Sequence, residues 1–205
     1  MTDKLAVVDT IKEGVGIGTR NIGPILVNVL LWIVTIWIPY INVGTTIGLT
    51  AGIVSKASRG EMIPMTEIFD SKYRKYMGEF FLASGLIGVG VGIGTIFAII
   101  PGIVIALAWS LAILLVVDKG KNPTEAITLS NNCTYGYKAR MFGIYFLVSL
   151  IFSIVNSIVA GIGSALNNDV VTVITSFVVI LSAVFQIFVC IGLQASIYKQ
   201  LTQGI

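Results

Sequence analysis

The feature that most constrains this chain is a series of apolar runs separated by short charged gaps. A helix that crosses a bilayer needs about 20 predominantly apolar residues, with a range of roughly 17–25. Runs near that length occupy residues 22–38, 41–57, 76–100, 103–117, 142–165 and 170–198, and no ionised group sits at the centre of any of them. Pro24 lies near the start of the first run, where a missing N–H costs little, and Pro39 ends it. Pro101-Gly102 is expected to turn the chain between the third and fourth. The second run, rich in Gly and Thr, is the weakest. Only 11% of the 205 residues are charged, against about 25% in a typical soluble chain. A water-facing shell cannot be built from so few charges. The expected fold class is all-α: one membrane domain over residues 1–205, a polytopic bundle of about six transmembrane helices in three hairpins.

Charge gives the orientation. Lys4, Lys12 and Arg20 precede the first run. Lys56, Arg59, Lys72, Arg74 and Lys75 follow the second; Lys119, Lys121, Lys138 and Arg140 lie between the fourth and fifth; Lys199 follows the sixth. All 13 basic residues then share one side of a six-span arrangement. Basic residues in short loops stay cytoplasmic, so both termini are expected inside, and dropping the second run alone would scatter the charges. Tyr73, Tyr76, Tyr135, Tyr137 and Tyr198 cluster at the inner interface, and Trp37 and Tyr40 mark the outer one, levels that suit a ring with one polar end.

The outer connections are too short to form a domain. On the inner side, Leu5, Val8, Ile11 and Val15 recur at helical spacing, which predicts an interfacial amphipathic helix within residues 1–21. A helix is expected to start near Thr66, lie along the interface and bend into the third run. Asn122-Pro123-Thr124-Glu125 has the N-cap, Pro and Glu pattern of a helix start, which predicts a short helix over residues 123–131. The basic residues beside it, Lys119, Lys121, Lys138 and Arg140, are candidates for contact with anionic lipid headgroups; a plain positive-inside loop explains the same charges and is the preferred reading.

The chain also resembles itself. Ile47-Gly48-Leu49-Thr50-Ala51-Gly52-Ile53 and Ile191-Gly192-Leu193-Gln194-Ala195-Ser196-Ile197 agree at five of seven positions, and Gly60 and Gly204 follow at the same distance. The first and third hairpins read as parallel repeats, a device used in transporters, unless two apolar segments agree by chance.

Small residues form stripes: Gly44, Gly48 and Gly52; Gly88 with Gly92, and Gly90 with Gly94; and Ser149, Ser153, Ser157 and Gly161. Such stripes let helix backbones approach closely in lipid, within one chain or between copies, so a homo-oligomer is expected. Ser182, Gln186, Cys190 and Gln194 recur every four residues on the last run, and Asn156 is another polar group at membrane depth. They have two readings: a polar seam lining a narrow path for water, ions or a small solute, or interhelical hydrogen bonds worth about 0.6 kcal/mol each. Intramembrane acids or bases, which coupled carriers need, are missing from the run centres. The chain has no histidine, and its two cysteines, Cys133 and Cys190, match no metal or redox spacing. No catalytic residue, metal or cofactor is expected, and membrane lipids rather than nucleic acid are the expected partners.

Arg59-Gly60-Glu61, Phe69, Pro101-Gly102, Asp118-Lys119-Gly120, Pro123-Thr124-Glu125-Ala126, Ser130 and Thr134-Tyr135-Gly136 together form a pattern. It resembles a broad group of prokaryotic six-helix membrane proteins, similar to the membrane domain fused to some glycerophosphodiester phosphodiesterases. The resemblance covers roughly residues 60–143 well and the flanks loosely. It implies a bacterial or archaeal cell membrane and carries over no catalytic residue. The function expected is that of a non-enzymatic membrane protein, self-associating, either forming a passive path or acting as a scaffold subunit. An accessory role in lipid metabolism is suggested by the resemblance alone.

Overall fold

The computed structural model describes residues 5–166 and 168–204. Among them the chain is all-helical. Helix α1 (Val7–Arg20) meets α2 (Ile22–Thr35) at a bend of 70°. A short turn leads to α3 (Pro39–Ile47), which runs through a π turn (Gly48–Gly52) into α4 (Ile53–Arg59). Two 3₁₀ turns, Glu67–Phe69 and Ser71–Tyr76, stand where the sequence predicts an α-helix, and they lead into α5 (Met77–Phe97). Then come α6 (Ile99–Ala108), α7 (Ala112–Lys119), α8 (Pro123–Thr134), α9 (Lys138–Ala165) and α10 (Asp169–Leu201).

Among the described residues four helices are long and apolar enough to cross a membrane: Ser71–Phe97, Ile99–Lys119, Lys138–Ala165 and Asp169–Leu201; the bent α1–α2 pair would make a fifth. The helix from Pro39 to Arg59 is not among them. The α5–α6 turn falls at Ala98, whose backbone is extended, rather than at Pro101-Gly102. Pro101 sits instead in the first turn of α6, where the helix has unsatisfied N–H groups in any case. Gly102 lies against Thr95 and Gly94, which close the hairpin.

Burial is uneven. The α5–α6 and α9–α10 hairpins are exposed along much of their length, with Val89, Ile96, Ile154, Ile158, Val173 and Phe177 all exposed. By contrast α1, α4, α7, α8 and the last third of α10 bury a common core that includes Leu5, Ile53, Leu111, Leu115, Ile144, Leu193 and Ile197. At 1.5 Å per residue α10 is about 50 Å long, well beyond the ~30 Å hydrocarbon layer, so its buried last third can pack beyond the apolar zone.

That last third holds α1. Gly14 and Gly18 of α1 face Gly192 of α10 so closely that a Cβ at Gly192 would overlap the Gly14 carbonyl and lie 2.7 Å from the Gly18 nitrogen. The contact is made backbone to backbone. Beside it Glu13 Oε2 accepts from Ser196 Oγ at 2.7 Å and from Gln200 Nε2 at 2.9 Å, while Oε1 takes the Lys199 ammonium at 2.7 Å. The predicted amphipathic helix therefore exists over Val7–Arg20, and much of it is packed along α10.

Candidate functional site

The most unusual local structure is a break in an apolar helix. Between α6 and α7, residues Trp109, Ser110 and Leu111 leave the helical ladder. Neither Pro nor Gly lies there. The hydroxyl of Ser130 on α8 enters the gap: it donates to the Ala108 carbonyl at 2.7 Å and accepts from the Leu111 N–H at 3.2 Å. Thr134, one turn further along α8, adds a bond to the same carbonyl at 3.3 Å. Gln194 Nε2 donates to the Ser110 carbonyl at 3.1 Å, and Gln194 Oε1 accepts from the Tyr145 hydroxyl. Backbone groups freed in an apolar layer are costly unless protein or water takes them up. Here three side chains from α8 and α10 take up three such groups. Ser130 and Thr134 are fully buried, and the Trp109 ring fills the space that a Cβ on Gly90 would need.

Beneath the break lies a charged base. Asp118, at the end of α7, accepts from Tyr198 at 2.8 Å and from Ser55 and Arg59. Arg59 also reaches Glu61 at 2.5 Å. A second cluster surrounds Glu67, whose side chain is only 2% exposed. Lys56 approaches it at 2.7 Å, Lys72 at 3.1 Å and the Tyr73 hydroxyl at 2.5 Å. Burial alone raises the Glu67 carboxyl, but hydrogen bonds from Lys56, Tyr73 and Lys72 outweigh it and hold the group below the usual carboxylate range. Glu13 is shifted the same way: burial raises it, and its bonds from Lys199, Ser196 and Gln200 prevail. Buried carboxylates demand such partners.

Gly44, Gly48 and Gly52 receive the following loop rather than another long helix: the Arg74 side chain lies over Gly44, the Ile68 backbone and the Tyr73 ring over Gly48, and the Tyr73 ring over Gly52. The loop is pinned by Asn28, fully buried, which donates to Pro64 O at 2.9 Å and accepts from the Ile68 N–H at 3.1 Å. Gly88 and Gly92 are exposed, with nothing within 4 Å of a would-be Cβ. Ser149, Ser153, Ser157 and Gly161 also face outward.

The seam on α10 divides. Gln194 is bonded at both ends of its amide, whereas Ser182, Gln186 and Cys190 are half-buried and make no hydrogen bond with any described residue. Contacts between Phe152 and Phe185 and between Tyr145 and Gln194 set the α9–α10 register, which puts Asn156 level with Ser182. The Asn156 Oδ1 atom is buried without a partner. The four basic candidates do not form one patch. Lys121 pairs with Glu125 at 2.6 Å at the start of α8. At its far end Lys138 donates to Asn131 at 3.0 Å and Arg140 lies 5.8 Å from the Tyr137 ring centre. Lys119 is exposed at the end of α7. Lys138 also rims an apolar groove of about 420 Å³ between α6 and α9.

Both cysteines are free thiols, and the described residues contain no group of acids and cysteines able to hold a metal. The residues that sequence reasoning passed over are those of the break and its base. Ser130 and Thr134 were visible as parts of a family-like pattern, and Arg59 and Asp118 there and as charges, none of them as partners; the structure brings the first two together at the break and the last two into one ion pair. A scan of protein-family models gives no match, and neither do searches of the curated proteins and of the solved structures.

Proposed function

We propose that this chain is a non-enzymatic protein of a prokaryotic cell membrane that self-associates through the outward faces of its two long hairpins. The observation that carries this reading is the exposure of those faces. They are apolar, and they include the open small-residue stripe of Gly88 and Gly92. In lipid, helix association is driven by close van der Waals contact at such stripes. Counting subunits by stepwise photobleaching of the labelled protein in liposomes tests it. The expected result is two or more copies, reduced by Gly88→Leu with Gly92→Leu; a parent that is monomeric at every density refutes it.

The six-span expectation and a four-crossing topology both keep all 13 basic residues inside, because removing the whole α2–α3 hairpin moves no charge across. We favour four crossings, α5, α6–α7, α9 and α10, with the α2–α3 hairpin dipping into the bilayer from the inner side. Asp70 and Arg74 border the same small cavity as Gly44 and Thr45 of α3, a level that a full crossing would place near the outer surface. The sequence match between the segments at Gly48 and Gly192 then reflects a shared use of glycine to admit a neighbour, not a duplicated crossing. In a cysteine-free background, Trp37→Cys should resist a membrane-impermeant maleimide from outside; labelling there would restore the six-span arrangement.

A second reading is a passive path between copies. It is favoured by the half-buried Gln186 and the unpartnered Asn156 Oδ1. Within one chain Gln194 is tied across the seam, so any such path would lie between subunits. Solute flux in liposomes that falls in Gln186→Leu supports it, and no flux above empty liposomes removes it.

A further inference from the structure

Where the end of α4 meets α1 and the last turns of α10, a cavity of about 270 Å³ opens. Lys12, Arg20, Arg59 and Lys199 line it, with Glu13 the one carboxylate in its wall. Arg59 is answered by Asp118 and Glu61, and Lys199 by Glu13. Among the described residues no acid answers Lys12 or Arg20. Lys12, Gly16 and Arg20 follow at steps of four along α1, so they share one face. The two cations stand about 12 Å apart along the axis. Between them a Cβ at Gly16 would meet nothing within 4 Å. Glycine is a poor residue for a helix interior, and here it does not serve close contact, as Gly14 and Gly18 do. It leaves the floor of the cavity open between two unanswered cations.

We propose that this cavity binds a phosphate-bearing anion, held by Lys12 and Arg20 across the glycine floor, with the Lys199 ammonium as a third donor shared with Glu13. Arginine and lysine are the side chains suited to phosphate, through charge-assisted bonds. The volume admits a phosphate with a small esterified group. The cations converge from α1, α4 and α10, which separates this site from a run of basic residues in one loop. The phosphate can come from an inner-leaflet phospholipid headgroup or from a soluble phosphate. This inference stands apart from self-association, since a monomer would carry the same cavity.

The test uses the purified full chain and three variants: Lys12→Gln with Arg20→Gln, Gly16→Leu, and Arg74→Gln with Lys75→Gln as a control with the same charge change elsewhere. Each is first shown to be monodisperse and helical. If Gly16→Leu does not fold, the Lys12/Arg20 variant carries the test alone. One arm titrates inorganic phosphate at constant ionic strength and follows thermal stabilisation. The other follows retention of phosphatidylglycerol over phosphatidylcholine by native mass spectrometry. Phosphate stabilisation weakened at least tenfold in the Lys12/Arg20 variant, and unchanged in the control, supports a soluble ligand. Retention of phosphatidylglycerol that drops by a similar factor, with no response to phosphate, supports a headgroup. If the parent and the Lys12/Arg20 variant respond alike in both arms, the proposal is overturned.

Discussion

Gly192→Ala and Gly16→Ala place the same methyl on two helices that touch, and they should act in opposite directions. A methyl at Gly192 would overlap the Gly14 carbonyl and lie 2.7 Å from the Gly18 nitrogen. Ordinary contact needs about 3.5–4.0 Å, so α1 and α10 must part by roughly 1 Å, which forfeits up to about half of the dispersion energy across the contact. The obstacles are backbone atoms and cannot swing aside. Overpacking of this kind costs about 1–3 kcal/mol, and the upper end applies here. Alanine returns about 1 kcal/mol as the better helix former, leaving a net loss near 2 kcal/mol. At Gly16 the new methyl meets nothing within 4 Å, so only the helix-propensity gain remains. For a chain of this size 1 kcal/mol moves a melting temperature by roughly 2–4 °C. Gly192→Ala should therefore melt several degrees lower, and Gly16→Ala a few degrees higher. The assay is a detergent thermal melt read by gel filtration, with limited trypsin digestion at Lys12 and Arg20 reporting release of α1. Shifts of the same sign in the two variants would refute the claim that α1 is held by backbone contact at Gly192.

Three further outcomes follow from buried polar groups. Asn28→Leu leaves the Ile68 N–H and the Pro64 carbonyl without their partner; at about 1–3 kcal/mol for each unpaired group, the loop that Asn28 pins should be cut faster by trypsin at Lys72 and Arg74. Ser130→Ala removes the acceptor of the Leu111 N–H while Thr134 still reaches Ala108, so the loss should be a single unpaired group, about 1–3 kcal/mol, in a thermal melt. Glu67 has a depressed carboxyl, so the folded state holds fewer protons than the unfolded state as pH falls through the ordinary carboxylate value of about 4.3. Its stabilisation is present above that value and is lost below it, towards the depressed folded value. Melting temperature should thus stay level from neutral to about pH 5 and fall on the acid side, and Glu67→Gln should lower the neutral plateau and flatten part of that fall, with Glu13, Asp118, Glu61 and Asp70, held low in the same way, contributing to the remainder.

Much of the helical layout was legible because apolar runs and caps act locally. Asn122 caps α8 as its pattern foretells, accepting from the Glu125 N–H at 2.9 Å. The left-handed Gly60 and Gly120, at φ +69° and +62°, end α4 and α7. The break at Trp109 to Leu111 was not legible, since no residue in it disfavours a helix. It exists because Ser130, nineteen residues or more away in sequence, competes for the ladder. Gln194 was visible as a polar residue in an apolar run, but its partners, Ser110 and Tyr145, belong to other helices. The role of the glycines was equally ambiguous. Gly48 and Gly52 admit a tyrosine from a loop, Gly192 admits another helix, and Gly88 admits nothing within the chain; period alone cannot separate these cases.

The clasp between α1 and α10 has a consequence for biosynthesis. The bond between Glu13 and Ser196 spans 183 residues, so α1 emerges long before its partner. At about 5–20 residues per second, roughly 10–40 s pass between the two. Throughout that interval Gly14 and Gly18 present a bare backbone groove, and Glu13 waits without Lys199. The α5–α6 hairpin can insert meanwhile, because it is made of neighbours in sequence, whereas the α9–α10 hairpin waits for α10 itself. Completion of the packed body around α1 and the last third of α10 is therefore a late event, gated by translation of the last helix. A ribosome stalled before Phe188 would leave a chain that is unclasped, with α1 free for a chaperone or protease to read as a mark of unfinished synthesis.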